Sequence, residues 1–79
     1  TKAIGVSYPK DGRLETAHAS REVLLAGGAI NSPQLLMLSG IGRPDELEKH
    51  GIVPRVALRG VGQGLLDHTS AAITFRRKQ

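Results

Sequence analysis

Hydrophobic and polar positions change their period several times along the 79 residues. Residues 2–8, KAIGVSY, alternate loosely and run into Pro9-Lys10-Asp11-Gly12. Residues 13–19, RLETAHA, alternate again, with Leu14, Thr16 and His18 on one face and Arg13, Glu15, Ala17 and Ala19 on the other. Alternation on both sides of a proline-glycine turn predicts two antiparallel strands joined across Tyr8–Gly12. The next apolar positions do not alternate. Val23, Leu24, Leu25 and Ala26 form one run between Arg21-Glu22 and Gly27-Gly28, the pattern of a strand buried on both faces.

A helix follows. Asn31 as N-cap places Gln34 at a capping-box position, and Ser32 as N-cap places Pro33 where its missing N–H costs nothing. The helix ends at Gly40 or Gly42. Leu35, Leu36, Met37 and Leu38 lie side by side in it, and successive helical residues are about 100° apart. One covering layer therefore cannot bury all four. A second short helix is predicted over Pro44–His50, with Asp45 and Glu46 in its first turn, Lys49 and His50 in its last, and Gly51 as its stop. Residues 52–58, IVPRVAL, read as a short extended piece, and Pro54 argues against a central strand. Residues 60–70 are irregular and rich in glycine. Residues 71–79, AAITFRRKQ, read as a terminal strand.

Composition narrows the chemistry. A chain this short buries only about 60% of its unfolded surface. No cysteine is present to add a disulfide or a thiolate metal site, and Tyr8 and Phe75 are the only aromatics. His18, His50 and His68 lack ligand spacing, so no metal is expected. The net charge of +4 is spread along the chain apart from Arg76-Arg77-Lys78. Without interleaved aromatics this is no base-stacking surface, and no nucleic-acid partner is expected. No apolar run approaches the roughly 20 residues of a membrane span. No leader pattern is seen, and the start at Thr1 points to an N-terminus elsewhere.

Two glycine clusters invite a binding role. A strand, a glycine turn at Gly27-Gly28 and a helix N-terminus together present backbone N–H groups to an anionic ligand, and the same arrangement also serves as an ordinary tight connection. Residues 60–65, GVGQGL, lack the final glycine of a G-x-G-x-x-G fingerprint and do not sit between a clear strand and a clear helix.

The stretch from Gly28 to Gly42, GAINSPQLLMLSGIG, resembles the second signature of the glucose-methanol-choline (GMC) oxidoreductases. Gly28-Ala29, Ser32-Pro33, Leu35-Leu36 and Ser39-Gly40-Ile41-Gly42 fill its specified positions. The flanks are similar too: REVLLAGGA to the family's preceding strand, LEKHGI to its following helix, and GVGQGLLDH to its Gly-Val-Gly-x-Asn-Leu-x-Asp-His segment. Gly64 stands where asparagine is usual, and Arg59 where proline is common. The likeness covers Thr1 to Ser70.

The resemblance implies an α/β fold, a partial Rossmann-like FAD-binding domain. Its parts would be a hairpin (1–20), a strand, glycine turn and signature helix (21–42), and a second helix with the glycine-rich segment (43–79). It implies FAD as cofactor and an oxidoreductase acting on the CH–OH group of a small-molecule alcohol, by hydride transfer to flavin. A hydroxynitrile lyase that holds FAD, or a truncated piece without catalysis, are the alternatives. The family's phosphate loop and catalytic histidine have no counterpart here, so no catalytic residue is expected in this chain and the rest of a parent chain is needed for a complete fold. Ala26, Gly27, Gly28 and Ala29 are the candidate cofactor contacts, on the adenosine side, with Asp67 and His68 as weaker ones.

Overall fold

The computed structural model describes residues 2–78; Thr1 and Gln79, the outermost residues of the expected hairpin and terminal strand, lie outside the described residues. Strands β1 (Gly5–Lys10) and β2 (Arg13–His18) pair antiparallel, with Val6 opposite Ala17, Tyr8 opposite Glu15 and Lys10 opposite Arg13. Pro9 is not in the turn, as its position before Asp-Gly suggested, but in β1 opposite Leu14. The connection is only Asp11-Gly12, with φ of 49° and 74°. Positive φ at both central residues gives the turn whose twist matches the two strands, and Asp-Gly favours it. Proline is tolerated because β1 is an edge strand. Ser7 and Thr16 hydroxyls meet at 3.0 Å, and Tyr8 OH donates to Glu15 at 3.5 Å.

Residues 23–26 form no strand. Leu24 is 79% exposed, and no described segment pairs with the run. Apolar content alone does not make a strand; its N–H and C=O groups need a neighbouring ladder. The expected terminal strand fails for the same reason: no described residue from 71 to 78 pairs, and Ile73 and Phe75 are exposed.

Helix α1 runs from Gly28 to Leu38, five residues earlier than a Ser32 cap would place its first turn, with Gly27 at its N-cap and Pro33 inside it. Leu36 and Met37 are half-buried, whereas Ile30, Leu35 and Leu38 are exposed. The apolar turn is thus covered on one side. Its end is sharply defined. Gly40, at φ 83°, donates to the Met37 carbonyl at 2.9 Å. A β-carbon at Gly40 would lie 2.7 Å from the Val53 carbonyl oxygen. Both conformation and close backbone approach therefore require glycine at position 40.

A two-residue parallel pair, absent from the sequence expectations, joins β3 (Ile41–Gly42) to β4 (Val56–Ala57). Arg55 and Val56 N–H both donate to the Gly40 carbonyl, at 2.7 and 3.2 Å, and Leu58 N–H donates to Gly42 at 2.9 Å. Between them lies α2 (Pro44–Lys49), with His50 at its C-cap. Ile52 N–H reaches back to Leu47 and Gly51 N–H to Glu48, each at 3.0 Å. These are the two bonds of a Schellman closure, which brings Ile52 beside Leu47. His50 thus stands one residue beyond the helix whose last turn it was expected to occupy, and Lys49 is the basic residue of that turn.

Leu47, 2% exposed, is the one buried hydrophobic side chain among the described residues. The accessible surface is 7658 Å², where a folded monomer of this mass exposes roughly 4,600 Å². The radius of gyration is 19.9 Å, against about 12 Å for a compact domain of this length. Most apolar surface is left without a neighbour.

Candidate functional site

The glycine turn and the start of α1 come from residues 26–30. Gly27 sits at φ −84°, ψ 3°, and its N–H donates to Ser32 Oγ at 2.8 Å. Neither Asn31 nor Ser32 is the N-cap; both lie inside α1, and Ser32 instead accepts the N–H of the N-cap residue Gly27. A β-carbon on Gly27 would meet Asn31 Cβ at 3.3 Å and Ser32 at 3.4 Å, so its space is filled by its own helix. Gly28 is different. Its φ is 90°, and a β-carbon there would meet nothing within 4 Å. The first N–H groups of a helix have no partner inside it. With the Gly27 amide occupied, those of Gly28, Ala29 and Ile30 form the donor set at this end. The helix dipole adds positive potential to them.

A groove of about 690 Å³ runs beside α1. Ala29, Pro33, Leu36 and Met37 line one wall, and Gly60 to Leu66 the other. The structure thus brings Ala29 to the glycine-rich segment, but Ala26, Gly27 and Gly28 do not line the groove. Asp67 and His68 do not line it either. Asp67 Oδ1 accepts the N–H of His68 itself at 2.7 Å, and both residues are exposed. The contact is local, between sequence neighbours, and does not bring an acid and a base together across a cleft. The groove wall from Gly60 to Leu66 was missed by sequence reasoning. Its available signal was the glycine spacing at 60, 62 and 64, which lets backbone lie against a helix.

Among the described residues, no group of three or more histidines, cysteines or acids is placed to hold a metal. No described helix is long and apolar enough to cross a membrane. Among the described residues the one clear ionisation effect lies away from the groove: a hydrogen bond from Arg43 holds the Asp45 carboxyl below its ordinary range, with Nη2 to Oδ2 at 2.9 Å.

Residues 1–70 match the family described as GMC oxidoreductase. The chain belongs to the GMC oxidoreductase family. It is 62% identical over 68 residues to the mitochondrial choline dehydrogenase of Homo sapiens, an overlap covering 86% of this chain and 11% of the relative. The corresponding mouse protein is 60% identical over 68 residues, with the same coverage of both chains. An oxygen-dependent choline dehydrogenase of Staphylococcus aureus (strain MSSA476) is 50% identical over 78 residues, covering 99% of this chain and 14% of the relative. The chain thus spans about a ninth to a seventh of the length of these relatives. No solved structure matches it.

The residues present fit part of an FAD site. The open side of Gly28 leaves its backbone approachable, and three unshared N–H groups at the start of α1 suit the polar atoms of a nucleotide. Ala29, Pro33 and Leu36 give the groove an apolar wall.

Proposed function

We propose that this chain is a segment of the FAD-binding domain of an alcohol-oxidising flavoenzyme, and that it supplies part of the FAD site but no catalytic base. The family match over residues 1–70 carries this reading, because it takes in both α1 and the groove wall from Gly60 to Leu66. The bound flavin would supply hydride acceptance from the substrate CH–OH group. The chain's own contribution is binding and exclusion. Amides of Gly28 and Ala29 donate toward the adenosine side, Ala26 and Gly27 set the turn that aims them, and the apolar wall of α1 excludes water. Asp67 and His68, exposed just beyond the groove wall, are the weaker candidate contacts to the cofactor.

The names of the relatives favour a dehydrogenase of the choline type over a hydroxynitrile lyase. The test uses the full-length protein. It should purify with oxidised flavin absorbance, and anaerobic addition of choline should bleach that band. Bound flavin that choline and other small alcohols leave oxidised would remove the redox assignment and favour the lyase. Absence of flavin from a folded protein would remove the cofactor assignment itself.

A further inference from the structure

We propose that Met37 is an oxidative modification site, a thioether placed to take one oxygen atom from a hydroperoxide and, in doing so, to release the glycine-rich wall of the groove. Met37 is the single methionine of the chain. It is half-buried on α1 and lines the groove, so a small oxidant can reach it. Its side chain spans two glycines. A β-carbon on Gly42 would lie 3.3 Å from Met37 Cγ, and one on Gly62 would lie 3.3 Å from Cε and 3.4 Å from Sδ. The stem thus rests on β3 and the sulfur end on the far wall.

That wall has little else to hold it. Its backbone hydrogen bonds are local, from Val61 to Leu58 and from Gln63 to Gly60, both at 3.2 Å. The thioether of Met37 supplies the atoms that a β-carbon on Gly62 would meet. In the proposed step the sulfur lone pair attacks one peroxide oxygen, an S–O bond forms and the O–O bond breaks. Sulfur is oxidised by two electrons, and the hydroperoxide leaves as the corresponding alcohol, or as water if it is hydrogen peroxide. The product is a polar, chiral sulfoxide in place of a flexible apolar group. The new oxygen must enter a contact already occupied by Gly62 or turn into the apolar groove. Either way the contact between Met37 and Gly62 is lost.

The test uses the full-length protein with hydrogen peroxide as probe and a free methionine peptide as reference. Expected are a one-oxygen mass gain at Met37 and a rise on the order of tenfold in amide exchange across residues 60–66, the signature of a local opening. A sulfoxide reductase should reverse both. Met37→Leu should show no peroxide-dependent change, and Met37→Gln should exchange faster without peroxide. The proposal is overturned if the reference peptide is oxidised while Met37 is not, or if Met37 gains oxygen and exchange at 60–66 stays the same. Reductase reversal on the unaltered protein decides the matter should Met37→Leu fail to fold. Flavin content enters neither readout, so loss of the cofactor assignment and loss of this one are separable.

Discussion

Ser32 Oγ accepts the Gly27 N–H at 2.8 Å, across five residues at the start of α1. This bond fixes the turn that leaves the next three amides unshared. Ser32→Ala should destabilise the full-length protein by about 0.5–1 kcal/mol, the usual net value of one hydrogen bond. Urea unfolding checks it, and an unchanged midpoint would show that the turn is held by other means.

Gly28 and Gly12 form a matched pair for testing the cofactor site. Both have positive φ, and neither has anything within 4 Å of the place a β-carbon would take. Alanine should strain each backbone by about 1–2 kcal/mol. Only Gly28 lies at the start of α1. Gly28→Ala should therefore lower the flavin-to-protein ratio of the full-length enzyme while Gly12→Ala leaves it unchanged. Equal ratios would remove Gly28 from the site. Gly27→Val is a poorer probe, because its side chain would first strike Asn31 and Ser32.

The 79-residue chain alone should not bind FAD with a low-micromolar Kd or better. It carries one helix N-terminus of 11 residues and no G-x-G-x-x-G loop for the pyrophosphate. A fluorescence titration with FAD measures this directly.

The same chain should be marginally stable or self-associated. Ile30, Leu35 and Leu38 are 71%, 52% and 65% exposed, and each such aliphatic forgoes much of the roughly 1.5–3 kcal/mol that full burial provides. Thermal unfolding combined with ultracentrifugation is decisive. A monomer melting cooperatively above about 60 °C, beyond the middle of the mesophile range, would contradict it.

Asp45 gives a prediction in pH. Its carboxyl is held below the ordinary range chiefly by the hydrogen bond from Arg43. A depressed carboxylate contributes stability that is present above its unfolded pKa and lost as pH falls through its folded one. The contribution is small, since the pair is open to solvent. A carboxyl-carbon NMR titration should show Asp45 protonating later on acidification than a free aspartate, and Arg43→Ala should return it to the ordinary range.

What the sequence made legible follows from locality. The hairpin could be read because alternation and Asp-Gly act within a few residues. The second helix could be read because its charges and Gly51 lie at its own ends. Residues 23–26 misled because a strand is a relation with a neighbour, and no described residue pairs with them. The start of α1 misled because Asn31 and Ser32 suit an N-cap, yet both lie inside the helix, where Ser32 bonds back to Gly27. The β3–β4 pair is too short to leave a period. At the candidate site, Ala29 lines a groove that the sequence did not announce, because the approach of the Gly60–Leu66 wall to Met37 is revealed only in three dimensions.

The Gly40 carbonyl, receiving N–H bonds from both Arg55 and Val56, also bears on the order of events during folding. It closes a short loop around α2, and short loops cost the least entropy to close. Leu47 and the turn at Ile52 lie wholly within that loop. Residues 40–58 can therefore form as a nucleus from contacts they themselves encode, before the hairpin or the groove has found any neighbour. On that order the glycine-rich wall, next along the chain, would meet a helix end already in place.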